Sequence, residues 1–274
     1  EQEHGSLMRG MGTMMKKRRR ERAAIPGAPD GRLLTFDRGM QVLTDALAAG
    51  LGERVVTGAA VRGLTRDGEG YRLEMMSGGE RTADLVAVCT PAFRASDLLA
   101  EVAPDAARAA STIPYAGITV VGLAYPEDRV AHDVNGFGYL IPRGQGLRML
   151  GCIWTAGVFP DHVPKGTVLL RAMVGGALDD EAAGLDEAGA IDLARREIEP
   201  VLGLRGDPVD TAAIRWPRGI PQYTVGHRDR VAAVEAGLAG APGLFVGGNA
   251  YRGVGVNDCV REATLLAGRI AGTA

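Results

Sequence analysis

Hydrophobic and polar positions follow several different periods along this chain. Near its start, Met8, Met11 and Met15 recur at i, i+3 and i+7 with Met14 beside them, which predicts a helix over 5–22. Gly10 and Gly12 each weaken that helix by about 0.8–1.0 kcal/mol relative to alanine. Pro26, Pro29 and the neighbouring glycines predict a linker or surface loop over 23–31. Met40, Leu43 and Leu47 form one face of a second helix that ends near Gly50 and Gly52. Arg54-Val55-Val56 reads as a strand and another lies around Val61. After the Asp67-Gly68 turn, Tyr71, Leu73 and Met75 alternate with polar residues. The continuous apolar run Leu85 to Cys89 suits a central strand covered on both faces. Thr90-Pro91 then supplies an N-cap and a first-turn proline for a helix containing Leu98 and Leu99.

From Ile113 to Ile214 the texture changes. Strands are predicted at 117–125, 136–141, 147–154 and 167–174, parted by Gly/Pro turns. One helix, with Ile191, Ala194 and Ile198 on a face, interrupts them. This is the pattern of an antiparallel sheet with helices against it. The last sixty or so residues return to the strand–loop–helix order of an α/β layer. Gly243 to Gly247 is a short buried strand, Gly248 to Val256 a glycine-rich loop, and a closing helix starts near Asn257 or Asp258 with Val260, Ala263, Ala267 and Ile270 on one face. No internal repeat or low-complexity tract is present.

Composition narrows the choice of class. The chain has 274 residues (28.6 kDa), 46% hydrophobic and 23% charged, which excludes wholesale disorder and allows one large domain or about two average ones. Glycine, at 40 residues, is about twice its usual share, pointing to turns and close backbone approach. A net charge of −2 excludes a globally basic nucleic-acid binder but leaves a local patch, because six of the seven residues Lys16 to Arg22 are basic. Cys89, Cys152 and Cys259 are too far apart for a disulfide framework or a zinc site and suit a reducing compartment. The four histidines (His4, His132, His162, His227) are dispersed without ligand spacing, and Asp179-Asp180-Glu181 reads as a solvated acidic turn. The uncharged stretch Ala109 to Pro126 carries two prolines and several hydroxyls. It reads as a buried strand, not a membrane span. No signal peptide is read, since the basic residues of 1–22 follow the apolar ones, and the opening Glu1 is taken as a start within a longer protein.

The segment from Gly247 to Glu262 carries the most chemistry. Gly253 and Gly255 permit close contact with a flat ligand, and the loop feeds a helix N-terminus whose free N–H groups favour negative charge. Such a site holds a phosphate, or faces the pyrimidine edge of a flavin where reduction builds up charge.

A resemblance separates these readings. Ile220-Pro221-Gln222-Tyr223-Thr224-Val225-Gly226-His227, then Gly248-Asn249-Ala250-Tyr251 and Gly253 to Cys259, resemble the oxygen-dependent protoporphyrinogen oxidase family within the wider amine-oxidase-like flavoproteins. The blocks Glu3 to Leu7, Thr35 to Met40 and Gly136 to Pro142 match in the same order. The resemblance implies FAD as cofactor and a fold of class α/β (α+β): a split FAD-binding half-domain with an inserted antiparallel substrate sheet. It implies a porphyrinogen (protoporphyrinogen IX or coproporphyrinogen III) as substrate, oxidised in three two-electron steps, with O2 reoxidising the flavin in haem synthesis. Val254, Gly255 and Val256 would touch the flavin through backbone, Trp216 would pack against it, and Val61 would hold the adenine edge through main chain. Phe137 and Leu140, joined by Ile153 and Met173, would line the porphyrinogen pocket. No catalytic side chain and no metal is assigned, and His227 is given a structural role.

The expected organisation is 1–28 as the tail of a helical membrane-facing region, 29–108 and 216–274 as the two parts of the FAD-binding domain, and 109–215 as the substrate sheet. Lys16 to Arg22 would meet an anionic membrane surface from the cytoplasmic side as a peripheral contact. A homodimer is kept as an expectation, and nucleic acid is not a partner. No Gly-x-Gly-x-x-Gly occurs, although an FAD pyrophosphate needs such a turn, so the chain alone is expected to be flavin-free and inactive. Two other readings stand beside this one: another flavin oxidase or desaturase acting on amines or polyenes, and a non-catalytic module binding anionic lipid or nucleic acid.

Overall fold

The computed structural model describes residues 33–273. The methionine helix over 5–22, the basic run Lys16 to Arg22, the linker 23–31 and the Glu3 to Leu7 block lie outside the described residues. The chain divides into a unit Glu1–Leu43 and a unit Thr44–Ala274. In the described part of the first, the Gly39 N–H donates to the Phe36 carbonyl across a turn (2.9 Å).

The elements in order are α1 (Gln41–Leu51), β1 (Val61–Asp67), β2 (Gly70–Met75), β3 (Glu80–Ala83), β4 (Val86–Val88), α2 (Ala92–Leu99), α3 (Pro104–Ser111), β5 (Tyr115–Pro126), β6 (Gly138–Leu140), β7 (Met149–Trp154), α4 (Thr155–Val158), β8 (Thr167–Gly175), α5 (Asp180–Ala183), α6 (Glu187–Leu202), β9 (Asp210–Pro221), α7 (His227–Gly237), β10 (Leu244–Val246) and α8 (Val256–Ala271). They form three sheets: antiparallel β1-β2-β3, a parallel pair β10-β4, and a five-stranded antiparallel sheet ordered β6-β7-β8-β5-β9.

The five-stranded sheet has one covered face. Along β8, Val168, Leu170, Ala172 and Val174 are buried while Leu169, Arg171 and Met173 are only partly so, the period-two pattern of a half-covered strand. Helix α6 supplies the cover with Ala190, Leu193, Ala194, Ile198 and Leu202. It is framed by an Asp186 N-cap, whose carboxylate accepts from Gly189 N–H (2.8 Å), and by Gly203 in the left-handed region at its C-terminus. Buried Glu197 points from α6 to the sheet and accepts from the Arg148 and Met149 amides, both at 2.9 Å, so its charge is met by backbone donors.

A second core joins α2, α3, α7, β4 and β10, with Leu99, Ala106, Ala110, Val234 and Leu244 buried together. The Tyr71 hydroxyl donates to the Pro242 carbonyl (2.8 Å), tying the three-stranded sheet to the approach of β10. Gly237 lets α7 lie against α3, since a Cβ there would overlap the Ala106 amide nitrogen.

Several expectations need correction. Arg54-Val55-Val56 is not a strand; Gly52–Arg54 forms a 3-10 turn and the two valines are exposed. Two valines are too short a β-branched run to pair without a neighbour. Pro91 occupies the cap position of α2, not its first turn, and the Ala92 N–H donates to the Tyr115 hydroxyl (2.9 Å) in place of Thr90. Strand β4 pairs only with β10 among the described residues, so it is not central there. Helix α8 begins at Val256, and its apolar stripe of Val260, Ala263 and Ala267 is exposed; Leu266 is its buried residue. Strand β9 and helix α7 were not expected.

The acidic turn is also more than a solvated loop. Asp179 caps α5 by accepting from Ala182 N–H (2.9 Å) and holds Arg148 through Nε (2.8 Å) and Nη2 (2.6 Å). The Arg148 hydrogen bond keeps the Asp179 carboxyl below the usual carboxylate range. A lowered native value means that the unfolded chain takes up the proton first as pH falls. The pair therefore stabilises fully above about pH 4 and its contribution disappears on further acidification. Denaturant unfolding at stepped pH should show a flatter acid limb for Asp179→Asn than for the wild type, the two curves converging at low pH.

Candidate functional site

The sheet face turned away from α6 gathers the expected pocket residues Leu140, Ile153 and Met173 together with Trp216. Strand register sets two cross-strand rows on it. One runs Leu140, Gly151, Met173, Val120, Ile214; the next runs Gly138, Ile153, Arg171, Gly122, Ala212. Directly paired residues of an antiparallel sheet project to the same side. Leu140, Ile153 and Met173 therefore stand on one surface although 33 positions of sequence separate the first from the last. Trp216 pairs with Ile118, two positions along the same side, and is 56% exposed; Leu140 is 80% exposed. Phe137 precedes β6 and is exposed, its carbonyl accepting from Trp154 N–H (3.0 Å). The opposite row of Tyr139, Cys152, Ala172 and Val121 is sealed under α6, where burial pushes the Cys152 thiol up to about 12 and the Tyr139 hydroxyl up as well.

Glycines shape this surface. Gly151 and Gly122 leave the spaces beside Met173 and Arg171 without side chains. Between Trp216 and Ile220 the β5–β9 register slips, so Pro217, Arg218 and Gly219 bulge out beyond Trp216. Arg218 stacks over Phe93 at 4.8 Å, which fixes the far side of the bulge.

The glycine-rich loop is held from outside itself. The Tyr223 hydroxyl accepts from Gly253 N–H (2.7 Å) and donates to the Asn249 carbonyl (2.7 Å), bridging both ends of the loop. Its ring stacks on buried His227 at 3.8 Å, and His227 Nε2 lies 3.1 Å from the Tyr251 carbonyl. Val254 and Val256 are each 50% exposed, and Gly255, the N-cap of α8, provides no side-chain cap. Its first amides are thus available to an acceptor, at the positive end of a 16-residue helix.

Val61 stands apart from the other candidates, at the head of β1. It lines a cavity of about 690 Å³ with Ala59, Ala60, Met76, Val88 and Cys89. Cys89 in the cavity wall adjoins Gly247, which precedes the loop, since a Cβ at Gly247 would lie 3.3 Å from the Cys89 Sγ. Val61, the Val254 to Val256 loop and the Leu140/Ile153/Met173 surface are therefore three separate sub-regions.

Two residues of this site carried no functional expectation. Tyr223 sat in a matched block, but it precedes the helix that begins at His227, so no helical spacing marks the stack. Arg171 lies between the partly covered apolar residues Leu169 and Met173 of its strand, a contrast visible in Leu169-Leu170-Arg171-Ala172-Met173. Among the described residues no cluster of three or more His, Cys, Asp or Glu is placed to hold a metal ion, and no helix is long and apolar enough to cross a membrane.

Such an arrangement can hold a broad flat apolar ligand against the sheet and offer backbone donors to an electron-rich ring. Comparison with known proteins agrees in kind. The family described as flavin containing amine oxidoreductase matches residues 1–271. The chain is 31% identical over 266 residues to coproporphyrinogen III oxidase of Bacillus subtilis, covering 96% of this chain and 55% of that protein. It is 31% identical over 296 residues to the chloroplastic protoporphyrinogen oxidase of Nicotiana tabacum, covering 99% and 53%. A crystal structure of a protein from Exiguobacterium sp. 255-15 assigned as a protoporphyrinogen oxidase superposes with a TM-score of 0.81 at 26% identity, covering 99% of this chain and 57% of that one. The chain spans about half the length of the curated relatives it matches.

Proposed function

This chain belongs to the flavin containing amine oxidoreductase family, and on that premise we propose that it serves the FAD-dependent oxidation of a porphyrinogen, protoporphyrinogen IX or coproporphyrinogen III, to the porphyrin in haem synthesis. O2 is the acceptor, with three O2 reduced to three H2O2 as six hydrogens leave the macrocycle. The observation that carries this reading is the open sheet face, where Leu140, Ile153, Met173 and Trp216 form an apolar surface broad enough for a tetrapyrrole.

The residues present fit the cofactor. A Cβ at Gly255 would meet nothing nearer than Asp258 Oδ2 at 3.4 Å, so the backbone there is open to a ring laid against it. Val254, Gly255 and Val256 would contact the flavin, Trp216 would pack on it, and Val61 would meet the adenine end through main chain. When bound, FAD supplies the two-electron acceptor. The chain's own part is placement: Tyr223 holds the loop at both ends, α8 offers uncapped amides to developing negative charge, and Phe137, Leu140, Ile153 and Met173 exclude water from the substrate face. No side chain of this chain is assigned a proton.

We place the two parts of the FAD-binding domain at 29–108 and 216–274 and the substrate sheet at 109–215. Lys16 to Arg22 would contact anionic lipid, and co-sedimentation with anionic but not neutral liposomes checks it. Aerobic incubation of this chain, joined to a segment that supplies the dinucleotide turn and loaded with FAD, with each porphyrinogen, followed by porphyrin fluorescence, tests the function. Turnover of amines or polyenes with neither porphyrinogen oxidised would overturn it. The chain by itself should retain no stoichiometric FAD after gel filtration, because it carries no dinucleotide turn.

A further inference from the structure

Arg171 is out of keeping with its surroundings. It sits in β8, the middle strand of the five-stranded sheet, and projects from the open face between Ile153 on one side and Gly122 on the other. Its same-face neighbours along the strand are Leu169 and Met173. Its Nε is buried and has no hydrogen-bond partner, and no carboxylate among the described residues forms an ion pair with it. By contrast, Arg148, Arg195, Arg252 and Arg261 all hold carboxylates. A guanidinium cannot shed its charge, and sealing part of it without an acceptor costs stability. A charge kept at such a cost on a binding surface is accounted for when a ligand supplies the acceptor.

We propose that Arg171 binds a peripheral carboxylate of the tetrapyrrole laid on this face. The inference rests on reading the face as the porphyrinogen surface, and adds to it a polar contact within this chain. A planar carboxylate matches the guanidinium fork, and Gly122 leaves room beside the strand for the acid arm to descend. The apolar residues then bind the ring without choosing its rotation, while Arg171 selects the orientation that brings an acid group over β8. Arg171 is a binding and orienting residue; it moves no proton.

The test uses this chain and two porphyrin probes, coproporphyrin III and its tetramethyl ester, titrated by fluorescence. Arg171→Leu should weaken the free acid about tenfold to a hundredfold and leave the ester within about twofold. Arg171→Lys should recover part of the loss. The ligand-free Arg171→Leu variant should melt at the wild-type temperature or above, because an uncompensated charge has been removed. Equal weakening of both probes, no weakening of either, or a lower ligand-free melting temperature would assign Arg171 to packing and overturn the proposal. Met173→Asp separates the two levels of inference. If it abolishes both probes while Arg171→Leu changes neither, the surface stands and the anchor fails. If the wild type binds neither probe, both fail together.

Discussion

Replacing Gly138 with alanine should detach β6 and strip the apolar face of its outermost residues. Gly138 has φ +134°, a region that L side chains rarely adopt, and a Cβ there would overlap the Cys152 carbonyl oxygen and lie 2.8 Å from Ile153 Cα. Both atoms are backbone of the paired strand β7, so neither can swing aside. The torsion alone costs of order 1–3 kcal/mol. Strand β6 has three residues and lies at the sheet edge, so peeling it from β7 is the least costly relief. Leu140 would leave with it and Phe137, whose carbonyl bonds Trp154, would lose its anchor. We expect porphyrin affinity to fall by at least about tenfold and the amides of 138–140 to lose protection from hydrogen exchange. Gly144→Ala is the control: its φ is +80° with nothing within 4 Å of the added carbon, so it is strained without a collision. Its cost should be about 1 kcal/mol, with porphyrin binding unchanged. If Gly138→Ala retained both protection and affinity, the edge strand would not be what presents Leu140.

The reach of the sequence can be traced through particular residues. Strand β8 was legible as a mostly apolar run bounded by Pro164-Lys165-Gly166 and Gly175-Gly176, and α6 because Ile191, Ala194 and Ile198 recur on a helical face. Strand β9 was not, since most of its residues on both faces are exposed and its composition carries no alternation. The stripe on α8 was read correctly as apolar, but periodicity reports chemistry and not coverage, and Val260, Ala263 and Ala267 remain exposed. The start of α2 was misjudged because its amide is met by Tyr115, 23 positions away. The same holds for the loop: Tyr223 reaches Gly253 across 30 positions, a bond that no local pattern encodes. Those residues that depend on sheet register, namely Leu140, Ile153, Met173 and Arg171, form a surface only once pairing is known. The sequence therefore suggested candidates by resemblance, while their common face and the unpaired charge among them emerged from register.

Substituting valine at Gly255 should leave the fold intact and abolish flavin retention. The two glycines of the loop differ in what they require. Gly253 has φ +146°, and a Cβ there would overlap the Asp258 side chain, so Gly253→Val should damage the loop whether or not a ligand is present. Gly255 has φ −75° and ψ 152°, extended backbone that a β-branched residue adopts readily, and its nearest neighbour would be Asp258 Oδ2 at 3.4 Å. Nothing among the described residues therefore explains a glycine at 255, whereas a ring packed against the main chain does. The melting temperature of ligand-free Gly255→Val should match the wild type within a few degrees. In this chain joined to a segment that supplies the Gly-x-Gly-x-x-Gly turn, flavin absorbance after gel filtration should be lost, at least about a hundredfold in affinity. Tyr223→Phe acts on the same loop by another route, leaving the Gly253 amide without its acceptor at a cost of about 1–2 kcal/mol, so it should weaken flavin and lower stability together. A Gly255→Val protein that keeps its flavin would mean that the ring does not rest on this loop. The uncapped amides of α8 would then have to serve some other acceptor.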